Sequence, residues 1–260
     1  MSAQLTRRLF LAELGRDMIA LAVVGIAACA PVDRPSGAAS SPSPTTPAES
    51  SSRSASASGA ERAGGITWER VHLGFVSAYI LARAGEAALV DTGLPGSEGD
   101  IAAALERVGL AWDAVGHVIV THGHGDHAGS LAAVLTAAPD AMGYAGAEDI
   151  PGMTSPRPLV AVADGDVVFG LRIVATPGHT PGHIVVLDEV GGILVAGDAL
   201  GTTWHGGTAN GLNLALTPDM DTALASIAKL GTFEFETILV GHGDPIEQDA
   251  SDFIPSFAPG

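Results

Sequence analysis

Seven consecutive residues, Thr121-His122-Gly123-His124-Gly125-Asp126-His127, bring three imidazoles and a carboxylate onto one short loop, directly after an apolar, strand-like segment at residues 117–121. Neutral imidazole and carboxylate are donors that zinc and its borderline neighbours accept, and donors clustered on one turn cost little loop-closure entropy to bring together. The run therefore reads as a metal site. It also constrains the fold, because a strand holds its last residue rigidly while the loop after it frees side chains to point into a shared cavity.

The spacing His-x-His-x-Asp-His resembles the signature of the metallo-β-lactamase superfamily, and the other residues that this resemblance implies follow in order. Asp91 stands in Leu89-Val90-Asp91-Thr92-Gly93, His179 in Thr176-Pro177-Gly178-His179-Thr180, Asp198 in Val195-Ala196-Gly197-Asp198, and His242 in Leu239-Val240-Gly241-His242-Gly243. Each ends a short apolar run, so all are placed to converge from strand ends. The resemblance extends from about Phe75 to Pro245.

That resemblance implies that His122, His124 and His179 hold one divalent metal ion, that Asp126, His127 and His242 hold a second, and that Asp198 bridges them. Asp91 resembles the family carboxylate that orients a ligating histidine without touching the metal, a partner such histidines generally need. Zinc is the first expectation, and iron or manganese accept the same nitrogen and oxygen donors. Two such ions lower the pKa of a shared water from about 15.7 toward neutrality, so hydroxide can attack a carbonyl with no serine or cysteine nucleophile. Asp126 is doubly placed, as a ligand and as the relay that carries a proton to the leaving group.

The N-terminal segment reads as a processing signal. Thr6-Arg7-Arg8-Leu9-Phe10-Leu11 resembles a twin-arginine export signal, and the apolar stretch at residues 18–28 is too short to span a bilayer as a helix. The single cysteine, Cys29, closes that stretch in Ile26-Ala27-Ala28-Cys29, which resembles a bacterial lipobox. Cleavage before Cys29 and lipidation of its thiol would leave no disulfide and no thiolate ligand. Residues 1–29 are thus expected to be a lipoprotein signal peptide. Residues 30–65, rich in Ser, Pro, Ala, Thr and Gly, form a tether that buries too little apolar surface to offset chain entropy. Residues 66–260 are expected to form one catalytic domain, held by the lipid on the extracytoplasmic face of a bacterial membrane. Nothing in the sequence sets an oligomeric state.

Charge narrows the partners. Twelve Lys and Arg against 29 Asp and Glu leave a formal charge of −17, and three of those cations, Arg7, Arg8 and Arg16, precede Cys29. The remainder offers no basic footprint for a phosphate backbone, which argues for a small-molecule substrate rather than nucleic acid.

Hydrophobic periodicity places strands at residues 71–73, 75–82, 87–91, 117–121, 141–144, 167–175, 184–187, 193–195 and 237–240. Helical spacing appears at residues 97–108, 128–138 and 217–230. The alternation indicates an α/β fold, and the resemblance implies a four-layer αββα sandwich of two mixed β-sheets with flanking helices.

The bond that is cut depends on finer features. A bridging carboxylate such as Asp198 resembles the glyoxalase-II-like and lactonase branches, whereas β-lactamases commonly lack it. Glyoxalase II itself is expected to carry a glutathione-binding helical extension, and residues 243–260 are too few for one. A compact hydrolase of an ester, lactone or thioester is the favoured expectation. The two tyrosines, Tyr79 and Tyr144, both precede Asp198, unlike lactonases that carry one after it. Instead, the loop at residues 201–211 offers Trp204 and His205 as candidate pocket walls. His183 is a candidate partner for the ligands, while His72 and His117 read as structural. A phosphodiesterase or β-lactamase remains an alternative, as does a non-catalytic metal- or solute-binding lipoprotein.

Overall fold

The structure, a computed structural model, describes residues 65–202 and 217–254. Cys29, Trp204 and His205 lie outside them. Six strands form the first sheet: β1 (Thr67–Leu73), β2 (Val76–Arg83), β3 (Glu86–Val90), β4 (Val115–Val120), β5 (Met142–Gly146) and β6 (Val160–Val162), side by side in chain order. The first three are antiparallel hairpin neighbours, and β3 to β6 run parallel. The second sheet contains β7 (Val167–Val168), β8 (Leu171–Ala175), β9 (Ile184–Asp188), β10 (Ile193–Gly197) and β11 (Thr237–Val240), in the order β11-β10-β9-β8-β7. Only its β10–β11 pair is parallel, so both sheets are mixed.

Side-chain alternation explains the layering. Tyr79, Leu81, Val90 and Ile119 of the first sheet meet Ile173, Val186, Val195 and Leu239 of the second in a buried cluster between them. Their strand neighbours face outward. Ile80, Leu89 and Val118 pack against Ile101 and Leu105 of α1 (Glu98–Arg107) and Leu135 of α2 (Leu131–Ala137). Val185, Leu194 and Ile238 pack against Ile227 and Leu230 of α3 (Met220–Leu230). Central strands covered on both faces have no polar face, which is why they read as continuous apolar runs. The result is the expected αββα sandwich.

Several boundaries differ from the sequence expectation. The run at residues 167–175 is two strands, because Phe169 and Gly170 turn with φ of 55° and 76° to form a tight hairpin. Phe169 hides that turn by being apolar, and its left-handed backbone is held by Arg83, whose Nη2 donates to Phe169 O at 2.8 Å. The short edge strand β6 is absent from the expectation. Helix α2 begins at Leu131 rather than residue 128, because the preceding backbone is spent on the histidine loop: His127 and Ala128 N–H both donate to His124 O, and Gly129 N–H donates to Gly93 O.

Candidate metal centre

Strand direction gathers the site. Strands β3, β4 and β5 are parallel, so Asp91 and residues 122–127 emerge at one edge of the first sheet. Strands β8 and β10 both oppose β9, and β11 parallels β10, so His179, Asp198 and His242 leave one edge of the second sheet together. Carboxyl-terminal strand ends are where open α/β sheets place ligands, since the loops there have no sheet partner of their own.

The seven candidates form two overlapping groups. His124 Nδ1 lies 3.0 Å from His122 Nε2 and 3.0 Å from His179 Nε2. His127 Nε2 and His242 Nε2 are 3.4 Å apart, and Asp126 Oδ2 lies 3.3 Å from His242 Nε2. Asp198 stands between the groups and divides its oxygens. Oδ2 is 3.3 Å from His179 Nε2 and 4.0 Å from His122 Nε2, while Oδ1 is 3.1 Å from His127 Nε2 and 3.4 Å from His242 Nε2.

These residues fit divalent cations. Donors arranged tetrahedrally around zinc stand about 3.3 Å apart, given metal–ligand distances near 2.0–2.1 Å. Within each trio of His122, His124 and His179, and of Asp126, His127 and His242, the ligand atoms all lie within 4.8 Å of one another. Ring nitrogens converging on one point cannot all satisfy one another by hydrogen bonding. Buried Asp198 Oδ1 has no well-directed hydrogen bond among the described residues, an orphan that a cation would satisfy. Gly241 keeps the space open, because a Cβ there would stand 2.6 Å from Asp198 Oδ1.

The surrounding hydrogen bonds aim the candidate donors. Asp91, left-handed at φ 63° and buried, accepts Thr121 N–H at 2.7 Å and holds His127 Nδ1 at 2.8 Å. That leaves His127 Nε2 facing the centre. His242 Nδ1 donates to Phe75 O at 2.8 Å, which turns its Nε2 toward the centre as well. His183 points no atom at the centre; its Nε2 accepts Asp198 N–H at 3.2 Å while Nδ1 pairs with Thr176 Oγ1 at 2.8 Å. It fixes the backbone of the bridging candidate.

Electrostatics divide the two groups. Burial pushes His179 down to about 4, against the upward pull of Asp198, and burial together with the neighbouring imidazoles pushes His122 well below its usual value. His183 falls to about 3, from burial first and His179 second. These rings are neutral. Burial acts the same way on His242, but Asp126 and Asp198 outweigh it and raise the ring to about 9. His127 is likewise raised well above its usual value, because Asp198 and Asp91 overcome its burial. Asp126 and Asp198 are held low despite burial, by His242 and His127 in the first case and by His127 in the second. His122 and His179 of the first group are thus biased toward the neutral ring, while His127 and His242 of the second are biased toward the protonated one, so a cation there would displace protons.

The structure brings together His122, His124, Asp126, His127, His179, Asp198 and His242, with Asp91 and His183 touching them. His72 is exposed on β1, and His117 packs against Tyr144 and Phe169; neither joins a donor group. Two neighbours are absent from the sequence reading. Phe75, at the β1–β2 hairpin tip, stacks on His242 with ring centroids 5.8 Å apart while 54% exposed. Asp149 is buried beneath the first group, bonded to Gly123, Thr180 and Gly182. Its signal in the sequence is its place just beyond the apolar run of β5, the position that the ligands occupy after their own strands.

Residues 72–242 match the profile of the metallo-beta-lactamase superfamily. The chain belongs to that superfamily. A Bacillus subtilis (strain 168) protein named "Probable metallo-hydrolase YflN" is 32% identical over 61% of this chain and 75% of its own length. A hydroxyacylglutathione hydrolase of Cupriavidus taiwanensis is 35% identical over 54% of this chain. The match spans 54% of that relative, about half its length. Among solved structures, a metallo-beta-lactamase family protein of Thermus thermophilus is 25% identical, with a TM-score of 0.60 over 74% of this chain and 77% of its own. The relatives make this chain a hydrolase of the superfamily, and its His/Asp clusters point to divalent metal ions.

Proposed function

We propose that this protein hydrolyses an ester, lactone or thioester of a small molecule, using two divalent metal ions, zinc in the first instance. His122, His124 and His179 would hold one ion, Asp126, His127 and His242 the other, and Asp198, with an oxygen toward each group, would serve both. The observation that carries this reading is the division of Asp198, one oxygen turned to each group. When bound, the metal pair supplies hydroxide near neutral pH and polarises the scissile carbonyl.

The chain's own residues do the rest. The Asp126 side chain is 25% exposed, against 3% for Asp198, so Asp126 is the ligand carboxylate with room to pass a proton to a leaving group. The exposed face of Phe75 beside His242 supports an apolar part of the substrate. Charge favours an uncharged substrate, because every Lys and Arg among the described residues is engaged: Arg70 with Asp244, Arg107 with Glu69, Arg172 with Glu189, Lys229 with Asp164, and Arg83 and Arg157 with backbone carbonyls. Thioester cleavage is in keeping with relatives named hydroxyacylglutathione hydrolase and, in Emericella nidulans, "Thioesterase pkgB".

Purified protein assayed with and without chelator against lactone, thioester, β-lactam and phosphodiester substrates tests the reading. Chelator-sensitive turnover of the first two is expected, and Asp126→Ala should abolish it. Silence across the panel with metal fully bound would favour a binding role instead. The proposed setting is extracytoplasmic, with a lipid anchor at Cys29. Equal solubility of wild type and Cys29→Ser on membrane fractionation would overturn the anchor.

A further inference from the structure

We infer that Asp149 is a positioning residue that closes the first metal group, and that group selectively. The inference rests on the metal reading above and concerns a carboxylate that touches none of the seven ligands. Asp149 follows β5 and is 8% exposed. Its Oδ2 accepts Gly123 N–H at 2.9 Å and Thr180 Oγ1–H at 2.6 Å, and its Oδ1 accepts Gly182 N–H at 2.8 Å. Gly123 lies between His122 and His124, Thr180 follows His179, and Gly182 is three residues beyond that histidine. One buried carboxylate therefore grips both loops that supply the first group, one from each sheet. None of its three bonds reaches a residue adjoining Asp126, His127 or His242.

The packing around it has no slack. A Cβ on Gly182 would stand 2.7 Å from Asp149 N and Oδ1, and one on Gly146 would stand 2.0 Å from Gly182 O. The loop after β5 approaches the loop after β8 this closely with no side chain between them, and Asp149 is a polar link from there to Gly123. Its charge matters because three hydrogens point at two oxygens. Contacts of 3.0 Å between the rings join side-chain tips and not the two loops, which come from different sheets, so a link between the loops themselves has to hold the rings in place before a cation arrives. Asp149 supplies that restraint.

Asp149→Asn keeps the shape and breaks the pattern. Turned one way, its amide NH2 opposes Gly123 N–H and the Thr180 hydroxyl; turned the other, it opposes Gly182 N–H. Either orientation leaves a buried donor without an acceptor.

The test uses the full-length chain, stripped of metal and titrated with Zn2+ by calorimetry and with Co2+ by visible absorption. Wild type is expected to take up two equivalents; fewer would overturn the metal reading rather than this inference. In Asp149→Asn one equivalent should retain wild-type affinity while the other weakens about 10–100-fold, the range found when partners of ligands are removed. The Co2+ spectrum at one equivalent should match that of His124→Ala, which keeps only the second group intact. Thr180→Val, which removes one bond and no charge, should weaken the same equivalent by a smaller factor and serves if the Asn variant does not fold. Both equivalents weakening together, or neither changing, would overturn the role.

Discussion

Asp91→Asn isolates what a carboxylate outside the ligand set contributes to the second group. The side chain is buried and bonds to two residues: Thr121 N–H at 2.7 Å on Oδ1, with the Thr121 hydroxyl 3.0 Å from Oδ1 and 2.9 Å from Oδ2, and His127 Nδ1 at 2.8 Å on Oδ2. Asparagine tolerates the left-handed backbone at φ 63°, so strain does not confound the result as it would for alanine. The amide can satisfy one partner only. With its oxygen on Thr121 N–H, its NH2 faces His127 Nδ1, which must then accept, and the ring proton moves to Nε2, the atom that faces Asp198 and His242. With its oxygen on His127, the NH2 meets Thr121 N–H donor to donor, at a cost of about 1–3 kcal/mol for the unsatisfied buried group. Either outcome weakens the second group. Loss of a ligand's orienting partner typically lowers metal affinity 10–100-fold, which is about 1.4–2.8 kcal/mol. Metal titration of the stripped protein, with thermal unfolding to show that the fold survives, is the assay. Two equivalents bound at wild-type affinity in Asp91→Asn would refute the orienting role.

Metal uptake should depend on pH more steeply in one group than in the other. His242 is raised to about 9 and His127 is also raised, so both are protonated at neutral pH and must lose protons to bind a cation. Affinity of the second equivalent should rise with pH up to about 9, while the first, which includes His122 and His179 with lowered values, should rise less steeply; calorimetry across pH checks both slopes. The metal-free protein should respond in the opposite sense: a raised His242 adds stability at pH below its unfolded value near 6.5, and that contribution is lost as pH climbs through about 9, which denaturant melts with chelator present would show. Gly241→Ala should abolish uptake of the second equivalent, because its Cβ would stand 2.6 Å from both Asp198 Oδ1 and His127 Cε1; unchanged metal content by elemental analysis would contradict the close approach. Phe75→Ala should leave two metals bound and raise KM for apolar substrates several-fold, since about half the ring is exposed; an unchanged KM would remove Phe75 from the pocket.

Much of the framework is legible in the chain because each layer obeys a local rule. Apolar runs at β3, β4, β9, β10 and β11 announce strands covered on both faces, and the polar residues that follow β3, β4, β10 and β11 announce a shared edge. Where local rules fail, a long-range contact decides. The Phe169-Gly170 turn carries an apolar residue at a position that usually favours Asn or Asp, and the Arg83 side chain that stabilises it is far away in sequence. The start of α2 is lost because residues 124–129 bond to the histidine loop and to Gly93.

The site divides along the same line. The kinds of donor, their spacing in residues 122–127 and the acidic balance are all properties of the sequence, because they depend only on side-chain chemistry and near neighbours. Three things belong to the tertiary structure alone. Only the crossing of the two sheets turns one Asp198 oxygen to each group. Only burial among neighbouring charges pushes His122 and His179 below the usual histidine value and His127 and His242 above it. And only the packing of β5 against the loop after β8 converts Asp149, an ordinary acidic residue in a Glu-Asp pair, into the link between both loops of the first group. Spacing along a chain sets which atoms can be neighbours on one turn; distances between loops 26 and more residues apart are set by the sheets that carry them.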